Sequence, residues 1–392
     1  MKSKPLAILF LTIFIDLLGF GIIIPILPTY SKELGASDFM VSIVGFIFPL
    51  IQFLFSPLMG SVSDRYGRKP IIIGSLLVNI IGYSILAHAA TIPLLFLARL
   101  LNGVGSANLG AAQAYISDIT TPENRAKSFG IIGAAFGLGF IFGPPLGGIL
   151  KEIFGIEVVG YTLVALCILN LLVVTLILPE SLKLKNISNR LRMNPFHGIG
   201  RALKFPEIRQ VMTMNFVFII AFALMQLAAA LLWAERYNVS EKGIGYIFMY
   251  IGFVSALCQG MIVGRVSKKI GEKKMLIVGS VAMALGLGFL ATPPKEWFYP
   301  IELLSMAMLA FGSSMLNPAI TALVSRASNE NEQGIMLGIN QSIGSLGRAI
   351  GFLGSAWLYG YLFYLPFTIG SGLMVVVLFM AIGFYRKKIK LE

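Results

Sequence analysis

Gly60-Ser-Val-Ser-Asp-Arg-Tyr-Gly-Arg-Lys-Pro70 is a short run of charge and glycine between two long apolar segments, 41–62 and 71–90. Each apolar segment has about 20 residues, the length that an α-helix needs to cross a bilayer. Charged side chains avoid the hydrocarbon and gather where the chain turns back at its surface. The stretch therefore predicts a tight loop at a membrane surface.

The composition supports a lipid environment for most of the chain. Of its 392 residues, 57% are hydrophobic and 12% are charged, with a mean hydropathy of +0.84, whereas soluble domains carry about 25% charged residues. The net charge of +13 does not indicate nucleic-acid binding, because the basic residues cluster in loops between apolar runs, as is typical of membrane proteins.

Apolar runs of about 20 residues recur along the whole sequence and predict twelve membrane-spanning helices. We number them spans 1 to 12, and they fall near residues 6–30, 41–62, 71–90, 93–116, 128–150, 158–179, 210–233, 243–264, 274–292, 298–323, 335–358 and 362–385. The predicted fold is therefore an all-α integral membrane protein.

The distribution of basic residues predicts the orientation. With the N-terminus placed in the cytoplasm, the outside loops hold only Lys32, Lys151, Arg236, Lys242 and Lys295. Because lysine and arginine favour cytoplasmic loops, we expect both termini inside. The three tryptophans then fall near the outer interface, where indole rings prefer to lie.

The chain divides into two six-helix halves. We predict an N-terminal bundle over 1–179, a cytoplasmic linker over 180–209 and a C-terminal bundle over 210–392. The sequence Gly264-Arg-Val-Ser-Lys-Lys-Ile-Gly-Glu-Lys-Lys274 repeats the pattern of residues 60–70, and each copy lies between the second and third spans of its half. Two parallel repeats of this kind are an architecture of membrane carriers.

Asp16 is the only acid deep in a predicted span, about 15 Å along span 1 at 1.5 Å per residue. A carboxyl at that depth can exchange protons or sense a cation, so we predict Asp16 as the proton-coupling residue. The alternative is a carboxylate permanently paired with an arginine, such as Arg99 of span 4.

Three stretches resemble the major facilitator superfamily. Residues 60–70 match its G-x-x-x-D-R-x-G-R-[KR] loop through Gly60, Asp64, Arg65, Gly67, Arg68 and Lys69. Residues 16–28 resemble the first helix of the tetracycline-efflux and related twelve-helix drug/proton antiporters. Span 5 resembles the antiporter motif that exporters carry, through Gly130, Gly139, Gly143, Pro144, Gly147 and Gly148.

The resemblance implies a carrier that works by alternating access. In the family, the loop acid interacts with the start of helix 11 and the second loop arginine pairs with an acid at the end of helix 4. The equivalents are Asp64 near Gly334–Gly338, and Arg68 with Asp118, which would form a conformational latch. Two alternatives stay open. The loop charges could serve only to determine the membrane topology, and the span 5 glycines could serve only to let helices pack closely.

Polar residues in the spans predict a substrate cavity lined by Arg99, Asn102, Gln113, Gln226, Asn317, Gln341 and Arg348. Arg99, Asn102 and Gln113 fall on one stripe of span 4. The two intramembrane arginines favour an anionic or zwitterionic headgroup among the substrates. The alternative for Arg99 is a structural hydrogen-bond donor between helices. Tetracycline pumps carry an acid in helix 9, whereas residues 274–292 contain none, so the resemblance does not extend to tetracycline itself.

The resulting hypothesis is proton-driven efflux of small amphipathic molecules across a bacterial inner membrane. We expect no enzyme activity, no metal and no cofactor beyond the coupling proton, and partners limited to substrate, protons and lipid, with no nucleic acid. A monomer suffices for this mechanism. The alternatives are a dedicated exporter or flippase of an anionic metabolite or lipid, and a transporter-like membrane sensor without turnover.

Overall fold

The computed structural model of the chain describes residues 3–120, 122–182, 199–200, 202–290, 294–328 and 333–386. In those ranges all regular secondary structure is helical. The first half comprises α1 (Ser3–Glu33), α2 (Asp38–Tyr66), α3 (Arg68–Ala87), α4 (Ile92–Gly105), a 3-10 segment (Ser106–Asn108), α5 (Leu109–Ile119) and α6 (Pro122–Ile177).

The second half begins with α7 (Pro206–Tyr237) and α8 (Glu241–Leu257). It continues with a π-helical turn (Cys258–Val263), α9 (Gly264–Leu290), a short 3-10 turn (Lys295–Trp297), α10 (Phe298–Arg326), α11 (Gln333–Tyr361) and α12 (Leu365–Arg386). The predicted linker 180–209 lies mostly outside the described residues. Within them α7 begins at Pro206, inside the predicted linker, because proline is well suited to the first turn of a helix.

The helices account for the predicted membrane spans. Among the described residues, nine helical stretches are long and apolar enough to cross a bilayer. Two of them, Gly137–Ile177 and Glu241–Leu290, have 41 and 50 residues, enough for two crossings each at about 20 residues per crossing. Together with α11 they are consistent with twelve spans, and the chain is an all-α, multi-pass membrane protein.

Both long stretches turn at a glycine. Gly155 of α6 has φ 82° and Gly271 of α9 has φ 76°, values at which the helix cannot continue. Gly67, between α2 and α3, has φ 119°. These conformations strain residues that carry a Cβ atom, so glycine is required at each turn. Gly67 and Gly271 occupy the same position in the two copies of the sequence repeat, which therefore share a backbone conformation.

The two halves meet along two helix pairs. α6 packs against α8, and α2 packs against α11. Both contacts are tight toward the end of the molecule where α1 finishes and α2 begins, which we call the 33–38 end. We call the opposite end, where α2 turns into α3, the 66–68 end.

Glycines show how the packing differs between these ends. At the 33–38 end, a Cβ atom at Gly360 of α11 would lie 2.5 Å from Asp38 Oδ2, and one at Gly245 of α8 would lie 2.6 Å from the carbonyl oxygen of Pro144. Toward the 66–68 end, no described atom lies within 4 Å of such a Cβ at Gly60 of α2 or Gly338 of α11. The halves are therefore in close contact at the 33–38 end, whereas at Gly60 and Gly338 the described residues leave open space.

Candidate functional site

Asp16 lies at mid-length in α1 and is held by two amides. Its Oδ1 accepts a hydrogen bond from Asn79 Nδ2 of α3 at 3.2 Å, and its Oδ2 accepts one from Asn108 Nδ2 of the 3-10 segment at 3.1 Å. Asn108 also donates to Ser75 Oγ at 2.8 Å. Among the described side chains, no cation forms an ion pair with Asp16.

Arg99 is therefore not the partner of Asp16, contrary to the alternative raised from the sequence. Its side chain is 2% exposed, its guanidinium carbon lies 4.4 Å from the centre of the Phe48 ring, and its Nε has no hydrogen-bond partner in the described chain. The aromatic face attracts the cation. Arg99 thus carries a buried positive charge that no described acid neutralises.

Span 4, predicted as one helix over 93–116, is interrupted. α4 ends at Gly105, and the 3-10 segment separates it from α5. Arg99 and Asn102 belong to α4, whereas Gln113 lies in α5 and is half-buried. The predicted stripe assumed one regular helix over 93–116, and the 3-10 segment changes the rotation of α5 relative to α4.

Asn102 packs inside the first half rather than lining an open cavity. Its side chain is fully buried, and Nδ2 donates to the backbone carbonyl of Asn79 at 3.4 Å. Its Oδ1 has no partner among the described residues. A buried acceptor without a partner costs about 1–3 kcal/mol. The packing of α3 against α4 offsets this cost and keeps the amide in place.

The predicted cavity residues of the second half differ in exposure. Gln226 of α7 is 3% exposed, and its Oε1 has no partner in the described part of the chain. Asn317 of α10 and Gln341 of α11 both reach the surface. Arg348 is half-buried, and its Nη2 donates to Ser345 Oγ at 3.0 Å. Arg348 forms no ion pair with a described acid.

The loop at 60–70 brings Arg68 against two acids. Its Nη1 contacts Asp64, its Nε lies 3.3 Å from Asp118 Oδ2, and the guanidinium also donates to Ser63 Oγ at 2.6 Å. The side chain is 8% exposed. The ion pair of this nearly buried arginine with Asp118 holds the loop against the end of α5, and we call it a brace.

Glu180 is a functional contact of this loop that the sequence reasoning missed. Its carboxylate accepts the backbone N–H groups of Arg68 at 3.0 Å and Lys69 at 3.2 Å, so it caps the positive N-terminus of α3. The only signal in the sequence is an acid directly after the sixth apolar run. That signal does not say which helix the acid meets.

Asp64 contacts Arg68 of its own loop, and its side chain is 48% exposed. Its predicted contact with the start of α11 falls largely on residues outside those whose contacts are described, Gly334 among them, and stays a prediction. At Gly338, no described atom lies within 4 Å of an added Cβ atom. Arg65 contacts the ring of the adjacent Tyr66 at 5.5 Å and reaches no second-half residue in the described chain.

The second copy of the repeat carries the same brace with its charges exchanged. Arg68 follows Gly67 and pairs with Asp118 at the end of α5. Glu272 follows Gly271, and its Oε1 lies 2.8 Å from Arg326 Nη2 at the end of α10. In each half the residue after the turning glycine forms an ion pair with the last turn of the fourth span.

The glycines of span 5 form two packing faces on α6. Cβ atoms at Gly139 and Gly143 would lie 2.9 Å from backbone atoms of Leu17 and Gly21 in α1, and one at Gly147 would meet Ile22. Gly148 instead faces α8 of the second half, and Pro144 lies between the two, with Cδ toward Gly21 of α1 and its carbonyl oxygen toward Gly245 of α8. Gly130 lies outside the residues whose contacts are described. The glycine motif of α6 therefore packs between α1, which carries Asp16, and α8 of the second half.

Lys151 forms two ion pairs at the 33–38 end. Its Nζ lies 2.6 Å from Glu33 Oε1 of α1 and 2.6 Å from Glu241 Oε1 of α8, and its side chain is only 7% exposed. Next to it, Glu152 Oε2 accepts the backbone N–H of Lys242 at 2.8 Å. The contacts with Glu241 and Lys242 join the two halves. They could not be predicted from the sequence, because the partners are far apart along the chain.

Glu302 of α10 is a second buried acid, 1% exposed. Trp233 Nε1 donates to its Oε1, and its Oε2 has no described partner. Trp233 is itself completely buried and packs against Phe248. The prediction that all three tryptophans lie at the lipid interface is therefore wrong for Trp233, because its indole is the hydrogen-bond donor for this carboxyl. Trp297 and Trp357 are 61% and 44% exposed.

Comparisons with known proteins agree with this architecture. The family model described as Major Facilitator Superfamily matches residues 9–259 and 211–391. The class C tetracycline resistance protein of Escherichia coli is 33% identical over 93% of this chain and 96% of its own length. Multidrug resistance protein 2 of Bacillus subtilis is 30% identical over 99% of this chain and 97% of its own length.

Solved structures give the same fold at lower identity. The human organic anion transporter MFSD10 is 21% identical to this chain, with a TM-score of 0.75. The match covers 97% of this chain and 99% of that chain. The nucleoside transporter NupG is 16% identical, with a TM-score of 0.74 and coverage of 99% and 100%. These relatives are transporters and not enzymes. The chain belongs to the major facilitator superfamily, and within it resembles tetracycline and multidrug resistance proteins.

Proposed function

We propose that this chain exports small amphipathic molecules in exchange for protons, and that Asp16 carries the proton. The surroundings of Asp16 are the main support. Its described partners are two neutral amides, and no cation is fixed beside it. A carboxyl in this setting can take up or release a proton without breaking an ion pair, whereas a carboxylate locked to arginine could not do so cheaply.

Alternating access is the proposed transport cycle. Contacts at the 33–38 end and open space at Gly60 and Gly338 support a state that is closed on one side only. We propose that the 33–38 end faces the outside, and that the 60–70 loop and both termini face the cytoplasm of a bacterial cell. The names of the bacterial relatives, which are resistance proteins, support export rather than uptake.

Proton release from reconstituted protein tests this proposal. Proteoliposomes with a trapped pH dye would receive tetraphenylphosphonium as a cation, Nile red as a neutral dye, or anilinonaphthalene sulfonate as an anion. We expect at least one of these probes to release protons from the wild type. Asp16→Asn, which keeps the size of the side chain, should reduce release to the background of empty liposomes.

Glu296→Gln is the matched control, because Glu296 is an exposed acid in a surface turn. It should retain wild-type release. Release that persists in Asp16→Asn would exclude Asp16 as the coupling residue, and binding of every probe without transport would favour the sensor alternative.

A second candidate is export of organic anions or anionic lipids. Two observations favour it: Arg99 and Arg348 lie within membrane helices without a described acid partner, and MFSD10 is by its title an organic anion transporter. A buried arginine without a counter-ion favours an anionic ligand. On this reading Arg348→Gln would abolish release by anilinonaphthalene sulfonate and leave release by tetraphenylphosphonium unchanged.

A further inference from the structure

A chain of hydrogen bonds crosses the middle of the molecule from Asp16 to Arg348. Its first link is the bond from Asn108 Nδ2 to Asp16 Oδ2 at 3.1 Å. Asn108 is the last residue of the 3-10 segment that interrupts the fourth span. Short 3-10 stretches inside helices often mark hinges, so the carboxyl of Asp16 is tied directly to a break in the helix.

The second link leaves the same break. The backbone carbonyl of Ser106, the first residue of the 3-10 segment, accepts a hydrogen bond from Gln52 Nε2 of α2 at 3.1 Å. A change of helix type alters which backbone groups find partners inside the helix. Gln52 supplies a partner from outside, so the position of its side chain depends on the geometry of the break.

The third link crosses between the halves. Gln52 Oε1 accepts a hydrogen bond from Ser345 Oγ of α11 at 3.0 Å, and Ser345 Oγ accepts one from Arg348 Nη2 at 3.0 Å. A glutamine amide has a donor end and an acceptor end. Gln52 uses the donor end in the first half and the acceptor end in the second, and thereby joins the two.

The place of this bond along α2 distinguishes it from the other contacts between the halves. Lys151 with Glu241, Glu152 with Lys242, and Ser42 with the backbone of Trp357 all lie toward the 33–38 end. Gln52 is ten residues beyond Ser42, about 15 Å along the helix. It lies nearer than those three contacts to the open space at Gly60 and Gly338.

We propose that Gln52 is a positioning residue that couples the protonation of Asp16 to Ser345 and Arg348. This inference rests on the proposed proton exchange at Asp16. Ionised, Asp16 accepts from both Asn79 and Asn108. When a proton binds Oδ2, that oxygen becomes a hydrogen-bond donor and a weaker acceptor for the N–H of Asn108. Since buried polar groups need partners, Asn108 then turns, and the hydrogen bond from Gln52 to the Ser106 carbonyl changes with it.

The consequence reaches the second half. When Gln52 moves, Ser345 Oγ loses its acceptor, and its hydrogen bond with Arg348 changes. The affinity of Arg348 for a bound anionic group therefore depends on whether Asp16 is protonated. The other titratable or charged groups close to Asp16 are Tyr83 of α3, Arg99 of α4 and Cys167 of α6. None of these three forms a described hydrogen bond that leads to the second half.

A distance measurement across the halves tests the inference without knowledge of the substrate. Phe39 and Tyr361 are 50% and 67% exposed on opposite halves of the 33–38 end. Spin labels at Phe39→Cys and Tyr361→Cys would report its opening, and the natural cysteines are buried. Protein in lipid nanodiscs would be measured by pulsed electron spin resonance between about pH 5 and about pH 8.

In the wild type we expect the ratio of open to closed populations to change with pH, and Asp16→Asn to remove that change. Gln52→Leu should reduce the change roughly tenfold, within the usual range of coupling between two sites. Gln210→Leu is the matched control: Gln210 also donates to a backbone carbonyl, that of Met380 at 3.2 Å, but within the second half. It should keep the wild-type response.

Ser345→Ala provides a second test that disturbs packing less. It should reproduce the effect of Gln52→Leu, and the double variant should be no worse than either single one, because both break the same chain. If Gln52→Leu does not fold, Ser345→Ala against wild type decides the question. A wild-type pH response in Gln52→Leu or Ser345→Ala would overturn the inference while leaving Asp16 in its role. A wild type without a pH response, or an Asp16→Asn variant that retains one, would overturn the proposed proton exchange and the inference together.

Discussion

Trp233 and Glu302 form a buried polar pair in the second half. The indole N–H is the only described donor to the Glu302 carboxyl. Trp233→Phe would leave both carboxyl oxygens without a partner and remove part of a buried ring. We expect a loss of roughly 1–3 kcal/mol of stability, the usual cost of an unsatisfied buried polar group. The thermal unfolding midpoint of the detergent-solubilised protein would measure it.

The matched control for this substitution is Trp297→Phe. Trp297 is 61% exposed and forms no described hydrogen bond through its indole. Its midpoint should stay close to that of the wild type. Equal shifts in both variants would show that the Trp233 hydrogen bond contributes little.

At the scale of single residues, the sequence identified the charged groups but not the amides around them. Asp16 is conspicuous because an acid in an apolar run has few structural explanations. Asn79, Asn108 and Gln52 also lie in apolar runs, yet an uncharged amide can be satisfied by its own helix or by a neighbour. Only the packing of α1, α2 and α3 around the 3-10 segment shows which amide meets which partner.

Glycine packing between α1 and α6 leads to a prediction about a helix pair. A Cβ atom at Gly143 would lie 2.9 Å from backbone atoms of Leu18 and Gly21, which cannot move aside as a side chain can. We expect Gly143→Ala to separate the helices and to cost about 1–3 kcal/mol, as overpacking does. Loss of transport and a lower unfolding midpoint would be measured together.

Gly137→Ala in the same helix serves as the comparison, because no described atom lies within 4 Å of a Cβ there. Alanine favours helix by up to about 1 kcal/mol over glycine, so this variant should be neutral or slightly more stable. Similar losses at Gly137 and Gly143 would contradict a role for close packing against α1.

The turn between α2 and α3 gives a second prediction at this scale. Gly67 has φ 119°, and a Cβ atom there would meet Glu180, the cap of α3. Gly67→Ala should therefore cost roughly 1–3 kcal/mol through backbone strain alone. Gly74→Ala, in open space within α3, should not. The difference between the two unfolding midpoints checks this, and its absence would mean that the turn adapts.

The helices themselves followed from apolar runs, whereas their interruptions did not. Spans 5 and 6 were separated in the sequence at the position where the backbone turns, near Gly155, because the apolar run weakens there. The break in span 4 left no such trace. Ser106, Ala107 and Asn108 are compatible with a continuous helix, and the partner that stabilises the break, Gln52, is more than fifty residues earlier.

For the molecule as a whole, Lys151 controls how firmly the 33–38 end is closed. Lys151→Met would leave the carboxylates of Glu33 and Glu241 facing each other without a cation, and like charges repel. We expect the open population to rise roughly tenfold, equivalent to about 1.4 kcal/mol. The spin-label pair at Phe39 and Tyr361 would report the change as a longer distance.

Lys242→Met is the control at the same end. The Lys242 side chain forms no described ion pair, and its contact with Glu152 uses the backbone N–H, which the substitution keeps. Its distance distribution should match that of the wild type. An unchanged distribution in Lys151→Met would show that the α2–α11 contact alone closes this end.

The architecture of the whole molecule was largely predictable, and its conformation was not. The apolar runs and the repeat at 60–70 and 264–274 indicate the helices and the equivalence of the two loops, because both depend on local sequence. Which end of the molecule is closed depends on contacts such as Lys151 with Glu241, whose partners lie about ninety residues apart.

The charge-exchanged braces, Arg68 with Asp118 and Glu272 with Arg326, have a consequence for the construction of chimeras. Each ion pair lies entirely within one half, so a crossover in the segment that connects α6 to α7 leaves both pairs intact. Halves taken from two different carriers would each keep their own brace, whichever of its two positions carries the acid. Only the contacts that cross between the halves, chiefly Gln52 with Ser345 and Lys151 with Glu241, would have to be matched again.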